Sequence, residues 1–218
     1  MTRTVLVVNP NASPEVTAGI DNALMPLRAG SITAIECHAL NSAPKGIQRE
    51  SDILTVMPLL IDFIRCHEQK ASAFVIACFS DPGLHAAREA TVKPVLGIGE
   101  SAMLTAMTCG DRIGVVAIQP ASIPRHLRAW RSMGIASRLA GERALGLDVA
   151  ALASDAQTWR RLLQIGRTLR DEDRADALVL GCAGLARFQE PLADALSLPV
   201  IEPCRAATGM ALTAALTR

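Results

Sequence analysis

Short apolar runs recur along the chain at Val5–Val8, Ala73–Ala77, Val95–Ile98, Ile113–Ile118, Ala177–Leu180 and Val200–Ile201, most of them bounded by Gly, Pro or Asn. Apolar runs without polar alternation are the pattern of strands buried on both faces. Ser31–Leu40 and Leu147–Leu152 carry weaker strand patterns. Between the runs, helical periodicity predicts helices over Pro14–Ala29, Ile47–Gln69, Pro82–Ala90, Ser101–Thr108, Ile123–Met133, Ala156–Glu172, Leu185–Leu196 and Cys204–Leu216. Pro58 falls inside the second of these and predicts a kink or a split there. Buried strands alternating with helices define an α/β chain of parallel strands joined by helical crossovers.

The pattern repeats. Ala73-Phe74-Val75-Ile76-Ala77-Cys78 matches Ala177-Leu178-Val179-Leu180-Gly181-Cys182, and each is followed by a turn of small residues and an Ala/Leu-rich helix. Each helix leads to a Pro-led strand, Lys93-Pro94-Val95-Leu96 in one half and Leu198-Pro199-Val200-Ile201 in the other. The openings correspond too, Val7-Val8-Asn9-Pro10-Asn11-Ala12-Ser13 against Val115-Val116-Ala117-Ile118-Gln119-Pro120-Ala121-Ser122. Three landmarks in one order predict two pseudo-symmetric α/β lobes, each a short parallel sheet flanked by helices. The lobes are expected at 1–108 and 109–218, with the terminal helix free to pack back on the first.

Composition narrows the function. The 218 residues are 50% hydrophobic and 20% charged, which excludes a disordered chain. Lys and Arg number 22 against 21 Asp and Glu, and aromatics make up only 3%, so neither a basic surface nor a base-stacking platform for nucleic acid is expected. No basic, apolar and cleavable leader precedes Val5, and no run reaches the ~18–20 apolar residues of a spanning helix, so no membrane association is expected and the location is expected to be cytoplasmic.

Six cysteines without a C-x-x-C pair are expected to be free thiols. Cys78 and Cys182 are set apart by their repeat-equivalent positions at strand ends, where parallel α/β sheets bind ligands. A helix start directly after each would supply unpaired amides and a positive dipole that favour thiolate. Two such thiols, one from each lobe, suit inversion of a carbon stereocentre, which needs a base on one face and an acid on the other. Cys37, Cys66 and Cys109 read as structural, and Cys204 beside Arg205 is a lesser candidate. No metal is expected, because Cys37-His38 and Cys66-His67 have no tetrahedral-site spacing. Gly97-Ile98-Gly99-Glu100 lacks the third glycine of a dinucleotide loop, and no G-x-S-x-G elbow occurs. Asp171-Glu172-Asp173-Arg174 reads as a solvated helix end and His85 as a surface residue.

At Val8-Asn9-Pro10-Asn11-Ala12-Ser13, Ile76-Ala77-Cys78-Phe79-Ser80-Asp81-Pro82-Gly83-Leu84, Gly97-Ile98-Gly99-Glu100-Ser101-Ala102 and Gly181-Cys182-Ala183-Gly184-Leu185-Ala186 the chain resembles the Asp/Glu/hydantoin racemase superfamily, in particular its hydantoin and allantoin branch. The resemblance implies an active site between two lobes, cofactor-independent proton transfer on a small-molecule substrate, and a homo-oligomer of dimers or larger. It implies Cys78 and Cys182 as the acid/base pair. Phe79, Ser80, Ala183 and Gly184 would line the pocket, Asn9, Pro10 and Asn11 would form its adjacent wall, and Ile118 would contribute from the opening of the second half. Amino-acid racemases of the superfamily carry Cys-Asn-Thr and Cys-Thr-Glu, whereas Cys78-Phe79-Ser80 and Cys182-Ala183-Gly184 favour a cyclic ureide. Two departures stand out. Ala117-Ile118-Gln119-Pro120 replaces a Thr-rich segment, and Glu202-Pro203-Cys204-Arg205 replaces an Asp-Gly-Val sequence, which places Arg205 near the expected pocket. The rival readings are an amino-acid racemase, a one-cysteine relative such as arylmalonate decarboxylase or maleate isomerase, and a ligand-binding protein on the same scaffold.

Overall fold

The apolar runs become the inner strands of two parallel sheets. A computed structural model describes residues 3–147 and 155–217. In chain order the elements are β1 (Thr4–Asn9), α1 (Pro14–Ala23), α2 (Met25–Arg28), β2 (Ala34–Ala39), α3 (Glu50–His67), β3 (Ala73–Ile76), α4 (Leu84–Ala90), β4 (Val95–Gly97) and α5 (Ile98–Ala106). They continue as β5 (Ile113–Ala117), α6 (Ile123–Ser132), β6 (Leu139–Ala144), α7 (Asp155–Asp171), β7 (Ala177–Leu180), α8 (Gln189–Leu196), β8 (Val200–Ile201) and α9 (Pro203–Ala214). One sheet has the order β2-β1-β3-β4 and the other β6-β5-β7-β8, so the repeat read in the sequence is a repeat of topology. Where the sequence repeat places the lobe boundary at 108/109, the compact units are Met1–Ser101 with Cys204–Arg218, and Ala102–Pro203.

Within each unit the register repeats as well. Val8 pairs with Ile76 in the first sheet and Val116 with Leu180 in the second. The first core packs Leu6, Val8, Phe74 and Ile76 against Leu60 and Ile64 of α3 and Leu84 of α4. The second packs Val116, Leu178 and Leu180 against Leu162 and Leu169 of α7 and Leu192 of α8. Helix α3 places Ile53, Val56, Leu60 and Ile64 on its buried face, the spacing of one stripe. It runs unbroken through Pro58. The interruption falls instead in the first predicted helix, which ends at Ala23 and resumes as α2 with Pro26 in its first turn. Proline can start a helix but cannot continue one without losing a hydrogen bond.

The sequence missed β6. Leu139-Ala140-Gly141-Glu142-Arg143-Ala144 carries Gly and two charges, and among the described residues it pairs only with β5, at the edge of its sheet. The strand expected at Leu147–Leu152 does not begin at Leu147, which has no regular structure, and 148–152 lie outside the described residues. No helix among the described residues is long and apolar enough to cross a membrane.

Candidate active site

Cys78 and Cys182 each lie two residues beyond the last residue of an inner strand, at its carboxyl end. The chain leaves the two sheets in the same way: Ala77 N donates to Val8 O at 2.8 Å, and Gly181 N donates to Val116 O at 2.8 Å. Gly181 has no alternative, since a Cβ there would stand 2.6 Å from Val116 O. A glycine at this point lets β7 approach β5 closely enough for Cys182 to follow.

The segments after the cysteines are not the helix starts expected from the sequence. Cys78 opens a turn in which Asp81 N donates to Cys78 O at 2.9 Å, and α4 begins only at Leu84. Cys182 caps a 3-10 turn over Ala183–Phe188, with α8 following at Gln189. One amide, Gly184 N, donates to Cys182 Sγ, at 3.4 Å. The predicted thiolate is therefore overturned at Cys182. Burial pushes its thiol up to about 11, the Gly184 N–H pulls weakly the other way, and the Glu202 carboxylate adds to the rise. A single long hydrogen bond does not offset the desolvation of a sulfur anion.

Phe79 and Ala183 are buried, while Ser80 and Gly184 remain partly open. Asn9, the last residue of β1, and Pro10 and Asn11 after it are buried. The Asn9 carboxamide organises this loop, donating from Nδ2 to Asn11 Oδ1 at 3.1 Å and to Thr17 Oγ1 at 3.0 Å. Its Oδ1 accepts from Asn11 N at 3.3 Å. Ser13 then caps α1, its Oγ accepting from Val16 N at 3.2 Å. Ile118 is buried just past β5, where its carbonyl accepts from Gly146 N at 2.9 Å. Beside it Gln119 donates from Nε2 to Leu147 O at 3.0 Å.

Several other expectations change. Arg205 is engaged at the end of α1, where its Nε donates to Ala23 O at 2.8 Å, and Cys204 is fully buried. Cys66 and Cys109 are exposed rather than packed. Cys37 is half-buried, and desolvation together with Asp21 raises its thiol to about 12. The histidines of Cys37-His38 and Cys66-His67 pack around Phe63, whose ring stacks on His67 with centroids 4.0 Å apart. Asp173 is no loose helix end: it grips Arg143 of β6 through two contacts, at 2.7 and 2.8 Å.

The residue that the sequence passed over is Asp81. In the sequence it stands only as one residue of the segment Ile76–Leu84, and His85, four residues on, is exposed. The Asp81 backbone is left-handed, with φ 45°. Its carboxylate accepts from Gly99 N at 2.9 Å through Oδ1 and from Glu100 N at 2.7 Å through Oδ2. The signal available was the pair Gly97 and Gly99, which have no room for side chains because the Cys78–Asp81 turn lies against them.

This is the layout of an α/β enzyme made of two copies of one plan, with a thiol at the carboxyl end of an inner strand in each copy. The sequence profile described as Asp/Glu/Hydantoin racemase matches residues 5–211, and the chain belongs to that family. A hydantoin racemase of Pseudomonas sp. (strain NS671) is 36% identical over 200 residues, 91% of this chain and 80% of the relative. A hydantoin racemase of Rhizobium meliloti is 36% identical over 208 residues, 94% of this chain and 86% of the relative. Among solved structures, an allantoin racemase from Klebsiella pneumoniae aligns with a TM-score of 0.88 at 30% identity, over 97% of this chain and 86% of its own. The protein is an isomerase of the racemase class.

Proposed function

We propose that this racemase inverts a cyclic ureide, a 5-substituted hydantoin or allantoin, with Cys78 and Cys182 as its acid/base pair and no cofactor. The observation that carries the reading is the matched placement of the two thiols, each two residues past strands that share one register against β1 and β5. The name hydantoin comes from two relatives 36% identical to the chain across most of its length, and allantoin from a solved structure at 30% identity over 97% of it.

The chemistry follows from the substrate. A C5–H beside a ring carbonyl is acidic because the carbanion delocalises onto oxygen, so a positioned base can remove the proton. One cysteine, as thiolate, takes it; the other, as thiol, gives a proton to the opposite face, and the roles exchange for the other enantiomer. Cys182, held as a thiol by burial, is suited to the donor's part in the resting enzyme. The Gly184 N–H lies beside the sulfur, and a donor of this kind can stabilise the developing oxyanion.

Proton NMR in D2O with one enantiomer of a 5-alkyl hydantoin, read alongside optical rotation, tests this. Loss of the C5–H signal together with rotation, above the uncatalysed background, is expected. Cys78→Ser or Cys182→Ser should each cut racemisation by roughly 10²–10⁴-fold. Full two-way activity in either variant rejects the two-cysteine mechanism, and a wild-type enzyme inert to hydantoins and allantoin rejects the substrate class.

A further inference from the structure

We propose that Asp81 is the positioning residue for Cys78, its carboxylate locking the turn that bears the thiol onto the start of α5. The proposal rests on the reading above that Cys78 acts on substrate. Both oxygens of Asp81 are engaged by successive amides, Gly99 N at 2.9 Å and Glu100 N at 2.7 Å. Its own N–H holds Cys78 O at 2.9 Å, and its carbonyl accepts from Leu84 N at 3.2 Å. One residue therefore ties together the thiol-bearing turn, the first residue of α4 and the junction of β4 with α5.

The fit is close. A Cβ on Gly97 would lie 2.3 Å from Asp81 Cγ, and one on Gly99 would lie 2.3 Å from Phe79 O. The left-handed φ of 45° at Asp81 is uncommon for a residue with a side chain, and it persists here because four hydrogen bonds define it. The second unit supplies an independent parallel. Ile76 pairs with Gly97, and continuing the register of Leu178 with Val200 and Val179 with Ile201 sets Glu202 opposite Leu180. The carboxylate of Asp81 thus fills the space of the side chain that Gly97 lacks, while at the corresponding strand position the second unit has the buried Glu202, which acts electrostatically on Cys182. Each thiol has a carboxylate associated with its segment, brought by the turn in one unit and by the strand in the other.

The charged groups facing Asp81 are Glu100 of α5 and Arg88 of α4, which pair with each other at 3.0 Å. Burial outweighs the two amides and holds the Asp81 carboxyl up at about 7. Acceptance at both oxygens is strongest in the ionised form, since protonation turns one oxygen into a donor, so the lock loosens as pH falls through that value.

The test is a comparison of wild type with Asp81→Asn, with kcat and KM measured from pH 5.5 to 9 on a 5-alkyl hydantoin. The variant is expected to lose about 10²-fold in kcat with KM within about threefold, the signature of misplacement rather than lost binding. It should also lose the acid limb with its midpoint near 7 that the wild type shows. An unchanged kcat, or a lowered kcat that keeps the wild-type pH profile, overturns the proposal. NMR of the wild type gives an answer even where the variant does not fold or no hydantoin is turned over. The Gly99 and Glu100 amides and Cys78 Cβ should shift together in one titration near 7, and their failure to do so overturns the proposal. Absence of turnover with that titration intact sinks the substrate reading and leaves the Asp81 lock standing.

Discussion

Gly181 both donates to Val116 O at 2.8 Å and has no room for a Cβ, which would stand 2.6 Å from the same oxygen. The position of Cys182 is thus set by a main-chain contact one residue earlier. Gly181→Ala must push β7 away from β5. We expect a folded protein, destabilised by ~1–3 kcal/mol as for other overpacked sites, with kcat reduced on the order of 10²-fold by displacement of the thiol. Urea denaturation and polarimetry check the two effects, and wild-type kcat in the variant contradicts the argument.

Cys182 is expected to alkylate slowly at pH 8. Its thiol is held up at about 11, whereas Cys66 and Cys109 are exposed. Iodoacetamide labelling followed by peptide mass mapping should mark Cys66 and Cys109 well before Cys182, because thiolate is the reacting form. Glu202→Gln removes a negative charge that raises the Cys182 pKa, so labelling at Cys182 should accelerate in that variant. Equal or slower labelling would show that Glu202 does not act on the sulfur.

These thiols mark how far sequence reasoning reached. Residues buried on both strand faces were legible, since Val5–Val8 and Ala177–Leu180 can be little else, and the matched cysteines followed from them. The edge strand β6 was not, because its charged residues are matched by partners distant in sequence, Glu142 by His126 and Arg143 by Asp173, which no apolar pattern records. The pKa of Cys182 depends on desolvation and on Glu202, twenty residues away in sequence, which strand-end position alone does not convey. Asp81 was hidden for a similar reason. Its role arises from a left-handed turn and two amides 18 and 19 residues on, and only the glycines at 97 and 99 hinted at the close approach.

Stability should fall with rising pH through the Asp81 titration. The carboxyl titrates at about 7 in the folded protein and near ~3.9 in an unfolded chain. Between these values the folded form keeps a proton that the unfolded form has released. Its contribution to stability is therefore greatest at the acid end and is lost as pH rises toward 7. Asp81→Asn has no such titration. The difference in unfolding free energy, wild type minus variant, should decline between pH 5 and 8, and a difference that is flat or rising contradicts the assignment.

The edge strand β6 is anchored by a buried pair. His126 of α6 and Glu142 of β6 meet at 2.5 Å, with side chains only 4% and 1% exposed. Trp130 packs nearby, its ring centroid 6.3 Å from that of His126. Removing the imidazole leaves a buried carboxylate without its partner, so His126→Ala should cost about 3–5 kcal/mol, the usual range when one member of a buried pair is deleted. Replacing both members by leucine removes the stranded charge along with the pair, and such exchanges are often neutral or better. The double variant His126→Leu/Glu142→Leu should therefore recover most of the loss. Urea unfolding of the single and double variants decides it. A single variant within about 0.5 kcal/mol of wild type, the range of ordinary surface changes, would mean that the pair does not hold the strand.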